Sequence, residues 1–157
     1  MYRNIELYKT TAIQSFDFLL SRVFADNRLQ LISGTGWQRK SILRNAYREQ
    51  SLEAAYIILA LDTFHRFTGN AAYMHYMNLA FSWYLGNNRL RQIIYNPVSG
   101  GCFDGLEAYA VNQNQGAEST LCYLMARLVV EKYQQVEENN DQLPKHKVRR
   151  KPKVNLL

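Results

Sequence analysis

Apolar residues recur at helical spacing over four stretches of this chain, separated by segments rich in glycine, asparagine and charge. Over residues 3–24, Ile5, Tyr8, Ala12, Ile13, Phe16, Leu19, Leu20 and Val23 fall close to one helical face, and Phe18 and Phe24 widen it. A second helix is predicted from Ser51, a fair N-cap, to Thr68, with Gly69 as its C-cap. It is apolar nearly all round, which implies packing on several sides. Asn70 is expected to cap a third, aromatic helix over 71–85. The link between the second and third helices is so short that the two must be antiparallel neighbours. A fourth helix is predicted over 116–137, with Leu121, Leu124, Met125, Leu128 and Val129 as its core face.

Alternation of period two nowhere persists, so the expected class is all-α, built of antiparallel helical hairpins. Two long segments, 25–49 and 86–115, join successive hairpins. They should therefore lie at one end of the helices and gather their polar residues over a common mouth. The helical body is expected over 1–138 and a basic, disordered tail over 139–157.

Charge sharpens this division. The net charge is +6, but residues 145–157 hold six of the 19 basic residues and none of the 13 acidic ones. The remainder is electrically balanced, with no basic groove and no nucleic-acid motif, so nucleic acid is not an expected partner. No apolar run is long enough to span a membrane, and "MYRNIELYKT" does not read as a signal peptide. A cytoplasmic location is expected. Cys102 and Cys122 are expected to be free thiols rather than a bridge. His65, His75 and His146 are too dispersed to suggest a metal site, and no cofactor motif is present.

The candidate chemistry sits in "GGCFDGLEAYAVNQNQGAEST", residues 100–120. Asn112, Asn114 and Gln115 offer donors and acceptors together. Glu118 lies in the first turn of the fourth helix, where the helix dipole favours a carboxylate. Amides, carboxylates and aromatic rings suit hydroxyl-rich sugars, with Trp37 in its glycine-rich loop as a stacking platform; Trp83, inside a helix, suits the core better. The same polar residues equally suit a structural task, capping the fourth helix and tying down the loop. Glycoside hydrolysis would need two carboxyl groups about 5–9.5 Å apart. Asp104 and Glu118 are the pair to test as base or nucleophile and general acid, with Glu53 as an alternative partner.

The order Trp37, "EQSLEAA", "TGN", "FSWYLGNN", "GGCFDGL" and "VNQNQGAESTLCYL" resembles the C-terminal α-helical domain appended to some bacterial group 1 glycosyltransferases, over residues 37–135. That resemblance implies part of a six-hairpin, (α/α)6 toroid and a carbohydrate-related role. It carries over Gln50, Glu53, Trp83, Asn87, Asp104, Asn112, Asn114, Gln115 and Glu118 as matching positions. Trp37, Gln50, Glu53, Asn87, Asn112, Asn114 and Gln115 are accordingly the expected substrate-binding residues. A full toroid needs about twelve helices; four would form only a partial one. Uncovered apolar faces, the second helix included, would then invite a glycosyltransferase domain or a second copy of the chain. An accessory or sugar-binding module is the leading expectation. A carboxylate-pair enzyme and a module acting through the basic tail are the alternatives.

Overall fold

Helix α1 (Ile5–Val23) leads into a two-residue hairpin of β1 (Phe24–Ala25) and β2 (Arg28–Leu29). The second half of the molecule contains β3 (Glu49–Gln50), α2 (Ser51–Thr68), α3 (Ala72–Ser82), β4 (Gly105–Leu106), β5 (Val111–Asn112) and α4 (Ala117–Gln142). The computed structural model describes residues 5–31 and 48–142, with 136–142 as backbone alone. Trp37, the basic stretch 38–47 and the tail from residue 143 lie outside the described residues.

The helices form where the apolar periodicity places them. The span of α2 matches its expected limits, and Gly69 ends it in the left-handed region at φ 70°, its N–H donating to the His65 carbonyl at 2.8 Å. Asn70 Oδ1 then accepts the Ala72 N–H at 3.0 Å and starts α3. Ser51 is not the N-cap but the first helical residue. Its buried hydroxyl donates to the Ser119 carbonyl, and the Tyr84 hydroxyl donates to its own carbonyl. That one position therefore ties α2 to α4 and to the turn after α3. Gln50 is the N-cap, and Glu53 closes a capping box on it by accepting the Gln50 N–H at 3.0 Å.

The class is mixed, not all-α. Among the described residues, four helices accompany two antiparallel sheets, one ordered β1-β2 and one β3-β4-β5. The expectation of a helix-only partial toroid fails because strands of two residues carry no readable alternation. Asp26 and Asn27, both left-handed at φ 52° and 55°, make the tight turn of the first sheet. In the second sheet Glu49 pairs with Leu106 and Gln50 with Gly105, and β5 adds Asn112 against Gly105. The two long inter-hairpin segments thus meet through backbone pairing.

Two packing expectations also change. Helix α2 is not an uncovered surface; it is the central element, packed on both α3 and α4 with Ala54, Ile58 and Leu61 fully buried. Helix α4 presents the opposite face from the expected one. Cys122, Tyr123, Ala126 and Val130 are buried, whereas Leu121, Leu124, Met125 and Leu128 are exposed; Val129 is half-buried. Helix α4 also runs on to Gln142, past the expected end at 137. The core closes around Trp83, Tyr84, Met77, Ile94 and Cys102, with the Tyr95 ring stacked on Tyr123 at 5.3 Å. Cys102 and Cys122 are both free and buried. Among the described residues, no helix is long and apolar enough to cross a membrane.

Candidate functional site

The β3-β4-β5 sheet and the first turn of α4 enclose an open cleft of about 370 Å³. Arg48, Glu49 and Gln50 line one side; Gly105, Glu107 and Asn112 line another; Asp104 and Glu118 line the α4 side. The sheet exists because the chain reverses at 107–110, where the Glu107 N–H donates to the Ala110 carbonyl at 2.8 Å.

Asp104 is the knot of this region. Its Oδ1 accepts the Gly116 N–H at 2.9 Å and the Ser119 hydroxyl at 2.7 Å; its Oδ2 accepts the Asn114 side-chain amide at 2.5 Å. Donation from Asn114 and Ser119 holds its pKa below the usual 3.8. A carboxylate whose two oxygens are occupied by its own chain at the start of a helix acts as a cap and brace. Asp104→Ala is expected to cost about 1–3 kcal/mol of stability, read by chemical denaturation. Because the folded pKa is depressed, this contribution is present above the unfolded value. It is lost as pH falls below 4 through the lower folded value, so the difference between wild type and variant should shrink in acid.

The other expected residues divide. Glu118 is exposed on the cleft wall, and Gln50 and Asn112 also line it. Asn112 Oδ1 accepts the Asn114 N–H at 3.1 Å, leaving its NH2 group toward other partners. Asn114 and Gln115 do not line the cleft: Asn114 braces Asp104, and Gln115 Oε1 accepts the Ser99 hydroxyl at 2.7 Å. Glu53 is half-buried and off the cleft, its pKa raised by burial. Asn87 belongs elsewhere, donating to the Asn27 carbonyl and the Ser82 hydroxyl beside a separate hollow near Arg28 and Arg91. Trp83 is wholly buried, as its helical setting suggested. The structure thus assembles Gln50, Asp104, Asn112 and Glu118 and separates Glu53, Trp83, Asn87, Asn114 and Gln115 from them.

Behind the cleft stands a group the sequence did not advertise. Glu49 is 3% exposed. Its Oε2 accepts the Trp83 indole N–H at 2.7 Å, and its Oε1 accepts the Arg89 Nε–H at 3.3 Å. Burial outweighs these donors and raises its pKa. Arg89 donates onward to the carbonyls of Glu107 and Ala108, so it staples the β4–β5 turn to Glu49. Arg48, left-handed at φ 72°, sets its guanidinium 3.8 Å from Glu107 at the rim. Among the described residues, the cleft lining sets one cation, Arg48, against Glu49, Asp104, Glu107 and Glu118. Among the described residues no three His, Cys, Asp or Glu side chains gather as a metal-binding group.

No family model matches this chain, and no curated protein matches it in sequence.

Proposed function

We propose that the chain is a carbohydrate-binding module, accessory to a glycosyltransferase system in the cytoplasm, and that it binds sugar in the cleft beside β3, β5 and the start of α4. The observation that carries this reading is the cleft itself. Its volume lies in the range of small-ligand sites. Its wall offers an amide (Asn112), a second amide (Gln50) and an exposed carboxylate (Glu118) within one hollow. Such groups match hydroxyls, which both donate and accept. The surplus of carboxylates among the described lining residues disfavours phosphorylated or uronic ligands, so a neutral glycan is the expected occupant. The resemblance to glycosyltransferase-appended helical domains points the same way. Binding is favoured over glycoside cleavage because Asp104 already spends both oxygens on its own backbone and side chains. That leaves Glu118 without its intended partner for paired-carboxylate chemistry.

The test is a glycan array, followed by calorimetric titration of the best neutral oligosaccharide. Glu118→Gln and Asn112→Ala are each expected to weaken binding about tenfold, the loss of one good hydrogen bond to a charged or polar group. Neither should alter the thermal midpoint much, since both residues are exposed or half-buried. An array without neutral ligands, or variants that bind as wild type does, would sink the proposal. Release of new reducing ends would turn it into the enzymatic alternative.

A further inference from the structure

Helix α4 carries a second apolar face that the described residues leave exposed. Counting at about 100° per residue, Leu121, Leu124 and Leu128 point away from the buried Ser119, Ala126 and Val130, and Met125 flanks them. Leu128 is 68% exposed, Leu121 59%, Met125 44% and Leu124 42%. Successive spacings of three and four are those of a helix–helix seam. We propose that this face is the interface of a symmetric dimer, in which α4 packs antiparallel against α4 of a second copy.

The stripe is complementary to itself. A two-fold axis running between the helices at the level of the Leu124–Met125 peptide sets Leu121 beside Leu128 of the second copy. The same axis places Leu124 and Met125 each beside its own counterpart. In an antiparallel pair related by such an axis, like flanks of the two helices face one another. Glu118 and Lys132 lie on the same flank as Met125, near opposite ends of the stripe. The axis therefore places Glu118 of one copy within one residue of Lys132 of the other, an opposite-charge pair repeated twice per dimer. Lys132 is 57% exposed and stands 4.0 Å from Asp62, so its ammonium retains donors for a further carboxylate. The exposed position of Glu118 in the first turn leaves it within reach. Charge thus selects a second copy in this orientation; a parallel pairing would set Glu118 against Glu118 and Lys132 against Lys132. Glu118 also lines the cleft, so the test rests on Leu124 and Leu128, which do not.

Sedimentation velocity on the full chain over a wide concentration range tests it. The wild type should reach a mass near twice 18.3 kDa. Leu128→Glu should weaken the dimer at least about tenfold with unchanged helical circular dichroism, because the side chain is 68% exposed. Leu124→Cys lies beside the axis and should form an intermolecular disulfide on mild oxidation, whereas Tyr56→Cys, exposed on α2, should not. Should Leu128→Glu disturb folding, the crosslinking result decides alone. A wild type that stays monomeric throughout, or a dimer indifferent to Leu128→Glu, overturns the proposal. A dimer that Leu124→Cys fails to crosslink overturns the antiparallel register.

Discussion

Gly105→Ala is expected to be among the most damaging single-methyl substitutions in the protein, lowering stability by about 3–5 kcal/mol. Gly105 holds φ at +153°, and a Cβ there would stand 2.0 Å from the Glu49 carbonyl oxygen and 3.0 Å from its carbon. Backbone cannot yield as a side-chain tip can. The clash must open the β3–β4 pairing in which Gln50 faces Gly105. Opening it would also shift Glu49 from Trp83 and move the cleft wall, so stability and any ligand binding should fall together. Gly69→Ala is the control. It also has a left-handed φ, but nothing lies within 4 Å of the added carbon. It should cost only the conformational strain, about 1–2 kcal/mol. Chemical denaturation of both variants checks the contrast; equal losses would mean that the close approach of β3 to β4 is not what matters.

The second large effect should arise at Glu49, where the nature of the substitution decides the outcome. Glu49→Ala strips the wholly buried Trp83 indole of its acceptor and removes the carboxylate facing Arg89, at a cost of about 3–4 kcal/mol. Glu49→Gln keeps an acceptor for the indole while removing a charge whose burial is unfavourable. Arg89 still has the Glu107 and Ala108 carbonyls. This variant should therefore stay within about 1 kcal/mol of wild type at neutral pH. The pH dependence follows from the raised pKa of Glu49. The titration of a group raised on folding stabilises fully below its unfolded value, near 4.5, and that contribution is lost as pH rises through the folded value. Wild type should therefore gain on Glu49→Gln as the solution is acidified from neutral toward pH 4.5, opposite in sense to the Asp104 effect. Denaturation midpoints of the three proteins across that interval measure it. Equal losses for the alanine and glutamine variants would show that the charge itself holds the region together.

Glu49 also shows why part of the site was hidden. In "YREQSLE" it reads as one more solvated charge. Its indole and guanidinium partners lie 34 and 40 residues further along, and no local spacing links them. Asp104 was visible as a loop acid next to glycine. Its neighbours Asn114 and Ser119 were visible too, yet their composition fitted a ligand site and a cap equally well. Only the distances assign Asp104 and Asn114 to bracing while leaving Asn112 and Glu118 on the cleft wall.

The inverted face of α4 has a different cause. Hydrophobicity ranks leucine above serine, cysteine and alanine, so Leu121, Leu124 and Leu128 look like core. Helix α2 packs on α4, with the Ser51 hydroxyl donating to the Ser119 carbonyl at 3.1 Å, and the buried residues of the two helices include the small Ser51, Ala54, Ala55, Ser119, Cys122 and Ala126. Two apolar faces on one helix cannot be ranked without knowing which neighbour fits against which.

Local chemistry was enough to specify four helices, the left-handed stop at Gly69 and the Asn70 cap, because each depends on residues within one or two turns of chain. The meeting of the two long connecting segments could also be foreseen from helix order. The two-residue strands, the buried Glu49–Trp83–Arg89 group and the outward leucines of α4 could not. Each depends on contacts between segments distant in sequence, and two residues of strand or one buried carboxylate leave no periodic trace from which such contacts can be read.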